Sequence, residues 1–254
     1  MTEGFTGIQT YTSEEEHKHR DAMADKLINT PLPKDQLLSN IGLFIESKYL
    51  SRILFMDHMY RQIVDVQGCV IEFGCRWGQN LGLFQSLRGI YEPFNRHRKI
   101  IAFDTFEGFP SAALDSKDGD AELIFEGNLA TSQDYQQELE SILSLHESLN
   151  PLNHIKKFEL RKGDGSIEFP KYLEENQHTI VALAYFDFDI YKPTKDCLEA
   201  LAPRLTKGSI VGFDELNDPD APGETLALME AIGLPNIRLK RFPHASRVSY
   251  FVVE

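Results

Sequence analysis

Cysteine is scarce in this chain. Cys69, Cys75 and Cys197 are its three cysteines. The count is odd and no Cys-x-x-Cys spacing occurs, which argues against a disulfide framework and points to a reducing compartment, the cytoplasm. No run of about 18 apolar residues exists, so no membrane-spanning helix is expected. A basic-then-apolar leader is missing too, because Glu3, Glu14, Glu15 and Glu16 come early. Positive charge is in deficit: 26 Lys and Arg face 39 Asp and Glu, for a net charge of −13. That balance argues against nucleic acid, whose phosphates require clustered cations, and equally against an anionic membrane surface. Internal repeats and low-complexity tracts are also absent.

Apolar residues make up 42% of the chain and aromatics 11%, enough to build a core. A length of 254 residues suits one α/β domain with extensions. Residues 1–48 are polar and interrupted by Pro31 and Pro33. They read as an N-terminal helical extension, with Ser13 and Glu16 in capping-box spacing. Residues 49–254 read as the main domain. "LSRILFMDHMYRQIV", 50–64, has apolar residues at helical spacing. Strands are expected at "CVIEFG" (69–74), "KIIAFD" (99–104), within "HIKKFELRKGDG", at "TIVALAYFDFD" (179–189) and at "GSIVGFDE", and helices fall between them. "NIRLKRF" and "VSYFVV" read as a closing hairpin. Residues 105–135 are irregular, as lids often are. Alternating strands and helices predict a doubly wound, mostly parallel sheet with an antiparallel edge hairpin.

In such sheets ligands bind at the carboxyl ends of the strands, near the switch in strand order. The first strand runs into "EFGCRWG". Its spacing is GxxxG, not the GxGxxG that cradles a dinucleotide pyrophosphate over a helix N-terminus. Glu72, two residues before Gly74, would repel a pyrophosphate and attract an ammonium. S-adenosylmethionine offers an ammonium and no phosphate. Asp104, ending the second strand, can accept hydrogen bonds from both ribose hydroxyls. Asp164 in "KGDGS" follows the third strand, where an adenine edge could be read. The expected cofactor contacts are Glu72, Gly74, Cys75, Arg76, Gly78, Asp104, Thr105, Gly163, Asp164, Ser166 and Asp187. Each has a plainer reading, the glycines and Asp164 as turn residues and Asp104 as a helix cap. What favours a site is order, since they fall at successive strand ends.

"FDFDIYKPT", 186–194, and "VGFDE" place Asp187, Asp189, Asp214 and Glu215 at two neighbouring strand ends. Crowded like charges need neutralising, and a divalent cation does this. All-oxygen donors favour Mg²⁺, Mn²⁺ or Ca²⁺ over zinc. Asp187, Asp214 and Glu215 are the candidate ligands. Asp189 is the candidate general base for a hydroxyl attacking a methyl sulfonium. The alternative is that these acids cap the helices near Thr194 and Pro222. His146 could reach the site or be a solvated helix residue, and Trp77 could pack on adenosine or in the core. Cys75 has no visible His or Asn partner and is assigned no nucleophilic role.

"VIEFGCRWG", "IAFDTFEGFP" and "FDFDIYKPTKDCLEALAPRLTKGSIVGFDE", taken in order, resemble the macrocin O-methyltransferase family over roughly residues 50–234. The resemblance implies a class I methyltransferase fold and S-adenosylmethionine- and Mg²⁺-dependent methylation of a sugar hydroxyl in antibiotic biosynthesis. It implies Glu72, Gly74 and Asp104 as cofactor contacts, Asp187, Asp214 and Glu215 as metal ligands, and Asp189 as base. It also implies a small sugar-bearing substrate and a homo-oligomer, with the N-terminal extension as a candidate interface. The chain departs from the family pattern at Arg76-Trp77, where the order is reversed, and at Asp214-Glu215, where an Asp-Asp pair is usual. Three other readings compete: a DxD-type nucleotide-sugar glycosyltransferase, a phosphohydrolase with Asp187 as nucleophile, and a non-catalytic nucleoside-binding scaffold.

Overall fold

A computed structural model of the chain describes residues 13–119, 122 and 124–254. Residues 1–12 of the expected extension, and 120, 121 and 123 of the expected lid, lie outside the described residues. The capping box forms: the Ser13 hydroxyl accepts from the Glu16 N–H, and the Glu16 carboxylate accepts from the Ser13 N–H at 2.9 Å. It opens α1 (Glu14–Ile28), a helix with no buried residue. A single turn, α2 (Lys34–Leu37), leads to α3 (Ser47–Gln62). The alternation then runs β1 (Cys69–Phe73), α4 (Gln79–Tyr91), β2 (Ile100–Asp104), α5 (Tyr135–Leu149), β3 (Phe158–Lys162), α6 (Gly165–Glu175) and β4 (Val181–Phe186). It continues through α7 (Tyr191–Leu201), β5 (Leu205–Phe213) and α8 (Gly223–Ala231), and ends in β6 (Lys240–Arg241) and β7 (Ser249–Val252).

The seven strands form one sheet in the order β3-β2-β1-β4-β5-β7-β6. β1 to β5 are parallel, and β7 runs antiparallel to both β5 and β6. This is the doubly wound, Rossmann-like sheet the alternation predicts. Strand order reverses between β1 and β4, the crevice where such sheets bind ligands. Phe55, Met56 and Met59 of α3, Phe84 of α4 and Leu139 of α5 cover one face. Phe169 of α6, Leu198 and Leu201 of α7 and Leu228 of α8 cover the other. Among the described residues no helix is long and apolar enough to cross a membrane.

A row of phenylalanines lies just beneath the strand ends. Parallel register places Phe103, Phe73, Phe186 and Phe213 side by side. Their rings stack with centroids 5.5, 4.6 and 5.3 Å apart. All four are fully buried, so they make a rigid apolar floor for the loops above.

Three expected boundaries move. The fourth strand ends at Phe186, not at residue 189. Beyond it the Asp187 N–H bonds to the Phe73 carbonyl at 2.8 Å, and Asp189 takes a left-handed φ of 61°. The alternating run therefore does not set Asp187 and Asp189 on one face of an extended strand. Helix α7 starts at Tyr191, earlier than Thr194, because Pro193 in the first turn has no N–H to waste. The expected strand 236–242 shrinks to Lys240–Arg241.

The described residues of the irregular 105–134 segment fold back over the strand ends. Phe109 and Ala113 pack on Ile190. The buried Asp118 carboxylate accepts from the Tyr191 N–H at 2.6 Å, capping α7 from 73 residues away. Lys117 sits 4.0 Å above the Tyr191 ring and pairs with Glu230 at 2.6 Å.

Phe186→Ala should remove about 3–5 kcal/mol of stability, as loss of a large buried aromatic does. Urea unfolding reads this directly; a loss under about 1 kcal/mol would show that the phenylalanine row carries little of the fold.

Candidate active site

The β1 turn is built on left-handed backbone. Gly74, Arg76 and Gly78 have φ of 85°, 44° and 77°. A Cβ at Gly74 would overlap the Asp187 carbonyl oxygen, and one at Gly78 would overlap the Leu139 side chain. The glycines therefore permit close packing against β4 and α5 as well as the turn itself. Glu72 is buried behind this turn. Its Oε1 accepts from Asn80 Nδ2 at 2.8 Å, while Glu72 Oε2 and Asn80 Oδ1 have no hydrogen-bond partner. Burial pushes the Glu72 carboxyl up to about 8. Asn80 lines the adjoining cavity, whereas Glu72 stands behind it. Two unsatisfied acceptors beside the cavity suit a ligand that brings donors, such as an ammonium.

The cavity has a volume of about 520 Å³ and spans the ends of β1 to β5. Its wall includes Gly74, Cys75, Arg76, Trp77, Asp104, Thr105, Gly163 and Asp164. Asp104 Oδ2 accepts from the Arg76 N–H at 2.7 Å and Oδ1 from the Phe106 N–H at 2.6 Å. These bonds tie the two loops together, and each oxygen keeps a second lone pair for a ligand hydroxyl. Burial raises the Asp104 carboxyl. Asp164 lines the cavity, and its Oδ1 caps α6 by accepting from the Ser166 N–H and hydroxyl at 2.9 and 2.8 Å. Ser166 supports Asp164 and does not line the cavity. Trp77 packs edge-on against Tyr135 at 4.7 Å, with its indole over a third exposed. The Cys75 thiol is buried and held well above its ordinary value by burial, then by Asp104 and Glu72, so it is inert. His146 abuts Gly82 of α4 and is absent from the cavity wall.

The carboxylates converge, but on a side chain that the sequence did not single out. Arg52 of α3 places Nη1 at 3.3 Å from Asp187 Oδ2 and donates through Nη2 to Asp214 Oδ1. The Tyr185 hydroxyl donates to the same Asp214 oxygen at 2.7 Å. Burial works against the Arg52 charge, but Asp214, Tyr185 and Asp187 outweigh it and raise its pKa. Burial, then the Asp214 charge, push Asp187 well above the ordinary carboxylate range. Asp189 is pushed up to about 6 by burial and Asp214, with Arg247, Arg76 and Arg52 opposing. Glu215 lines the same cavity and forms an ion pair with Arg247, which also holds Asp218 at 2.9 Å.

Among the described residues no three His, Cys, Asp or Glu side chains are gathered to hold a metal ion. Asp187 and Asp214 do close on one cation, and their donors are all oxygen. In chemistry the pair offers the hard oxygen donors that a divalent ion takes, and Arg52 is the cation it holds in this structure.

Glu224 is the second residue missed. It opens α8, is fully buried, and accepts from the Phe188 N–H at 3.0 Å and the Glu215 N–H at 3.4 Å. It thus joins the Asp187–Asp189 loop to the Asp214–Glu215 loop. Burial, then Asp189, Asp187 and Asp214, push its carboxyl well above the usual range. Neither Arg52 nor Glu224 lies within a motif, and their partners are distant in sequence.

The model of the macrocin O-methyltransferase (TylF) family matches residues 52–221. No curated protein matches the chain. A crystal structure of CalS11, a calicheamicin methyltransferase, is 38% identical, covers 99% of each chain and superposes with a TM-score of 0.91. The apo structure of CalS11, described as a TDP-rhamnose 3'-O-methyltransferase in calicheamicin biosynthesis, is 39% identical over 96% of each chain, with a TM-score of 0.84. The O-methyltransferase NovP shares the fold at 16% identity, covering 93% of this chain and 98% of its own, with a TM-score of 0.60.

Gly74→Ala should move the Asp187 loop and weaken S-adenosylmethionine binding at least tenfold, about 1.4 kcal/mol, while leaving a cooperative thermal transition. Calorimetric titration measures it; unchanged affinity would separate the close approach at Gly74 from the cofactor site.

Proposed function

The chain belongs to the macrocin O-methyltransferase family and is an S-adenosylmethionine-dependent O-methyltransferase; from that premise we propose that it methylates a sugar hydroxyl on a nucleotide diphosphate sugar of a natural-product pathway, with Asp189 as general base. Membership disfavours the glycosyltransferase, phosphohydrolase and scaffold readings. The observation that carries the proposal is the meeting of Asp187, Asp189 and Asp214 with the Gly74 turn in one cavity. The CalS11 relative is described as acting on TDP-rhamnose, which supports the acceptor class. The cavity wall carries four cations, Lys48, Arg52, Arg76 and Arg247, alongside eight carboxylates, so the acceptor class rests on the relative and not on the charge of the wall.

The division of work follows from the backbone. Asn80 and Glu72 would receive the methionine ammonium, and Asp104 the ribose hydroxyls. The cofactor supplies an electrophilic methyl on a sulfonium. Asp189 takes the acceptor hydroxyl's proton as its oxygen bonds to the methyl carbon; the carbon–sulfur bond breaks, its electron pair stays on sulfur, and neutral S-adenosylhomocysteine is left. Asp187 and Asp214 would hold a divalent cation, Mg²⁺ by the family pattern, which when bound supplies Lewis-acid stabilisation of negative charge growing on the hydroxyl oxygen. The 105–134 segment would act as the lid, excluding water from the sulfonium.

Calorimetry with S-adenosylmethionine, NAD and a nucleotide sugar is the first test, and failure to bind S-adenosylmethionine would end this reading. Methyl transfer to TDP-rhamnose should exceed transfer to free rhamnose, and the reverse preference would remove the nucleotide from the acceptor. Thorough chelation should suppress turnover; activity indifferent to it would take the cation out of the mechanism. Asp189→Asn should keep cofactor affinity and lose about 10²–10⁴ in turnover. Near-normal turnover would exclude Asp189 as base.

A further inference from the structure

The Asp187–Asp214 pair already has a cation. α3 delivers Arg52 to the cavity wall one turn beyond Lys48, with under a third of its side chain exposed. Its two terminal nitrogens go to different carboxylates, Nη1 to Asp187 Oδ2 and Nη2 to Asp214 Oδ1. This spread is a property of the planar guanidinium fork; an ammonium is a single point and lacks it. The guanidinium thus bridges the two aspartates across the gap between the ends of the neighbouring strands β4 and β5. A divalent ion bound by both aspartates would need that same gap, and the guanidinium and the ion repel one another. They cannot occupy it together.

We propose that Arg52 is a positioning residue of the carboxylate pair and the internal competitor of a divalent cation for it. In the cation's absence Arg52 holds Asp187 and Asp214 together, with Tyr185 fixing the Asp214 oxygen from the other side. Divalent binding requires the guanidinium to withdraw from both carboxylates. The intrinsic affinity of the aspartates is therefore reduced by the stability of the Arg52 bridge. This inference rests on the reading that Asp187 and Asp214 can bind such an ion, and the test separates the two.

Mn²⁺ binding to the purified full-length chain, without cofactor or acceptor, can be followed by the electron paramagnetic resonance of the free ion. Wild type, R52K, R52Q and R52Q/D187N are compared, with circular dichroism confirming that each is folded. Removing the guanidinium charge should tighten Mn²⁺ binding at least about tenfold in R52Q. R52K should fall between wild type and R52Q, since lysine keeps the charge but cannot span both oxygens; it also carries the test if R52Q does not fold. The gain should vanish in R52Q/D187N. Equal affinity in wild type and the Arg52 variants, with binding that depends on Asp187, would overturn the competition and leave the cation reading standing. A gain that survives D187N would also overturn it, by placing the ion elsewhere. Binding by none of the proteins would overturn both.

Discussion

The approach of Gly74 to the Asp187 carbonyl decides the geometry of this site. β1 and β4 are neighbours at the point where strand order reverses, and their loops leave in the same direction. A side chain at residue 74 would force the loops apart. Without one, the Asp187 N–H bonds to the Phe73 carbonyl, and the β4 chain stops extending within a residue of the phenylalanine row. The glycine turn and the first carboxylate are thereby one structure. Asp187 can then meet Asp214, whose own N–H bonds to the Phe186 carbonyl at 3.0 Å.

Burying so many acids at one edge is costly unless each finds a donor or a cation. The chain meets this differently at each position. Asp104 and Glu224 are held by backbone N–H groups from two loops apiece. Asp187 and Asp214 share one arginine, and Glu215 and Asp218 share another. Glu72 has only Asn80, and among the described residues its Oε2 is the buried carboxylate oxygen without a partner. Where compensation is thinnest, the site is most open to a donor from outside. The cavity wall of this strongly acidic chain thus sets four cations among eight acids.

The sheet was legible because its strands are short apolar, β-branched or aromatic runs bounded by glycine and charge, a local signal. The order of Gly74, Asp104, Asp164 and Asp187 along the cavity was legible too, since parallel strands bring their carboxyl ends to one edge. The expected strand end at residue 189 was misplaced because the period-two pattern of "FDFD" outlasts the ladder, which stops at Phe186. Asp189 adopts a left-handed conformation that aspartate tolerates better than most residues, so its identity gave no warning. Asp164 was read as either a turn residue or a cofactor contact, and one carboxylate both caps α6 and lines the cavity. Arg52 lies 135 residues from Asp187 and 162 from Asp214, so nothing local could have announced it. Glu224 looks like an ordinary acid in the first turn of a helix, and only its burial reveals that it joins two loops.

Asp118 caps a helix that its own segment does not contain. Loops over acceptor sites are where relatives can diverge, because most of their residues answer only to the molecule they cover. This loop has fixed points. Asp118 must stay to close the end of α7, and a side chain at residue 119 would press 2.5 Å from the Asp220 carbonyl. In the proposed lid role, diversity in what is methylated would be channelled into the stretches on either side of that anchor. A chimera that swapped the whole segment without matching α7 would trade one recognition surface for another and fray a helix in the exchange.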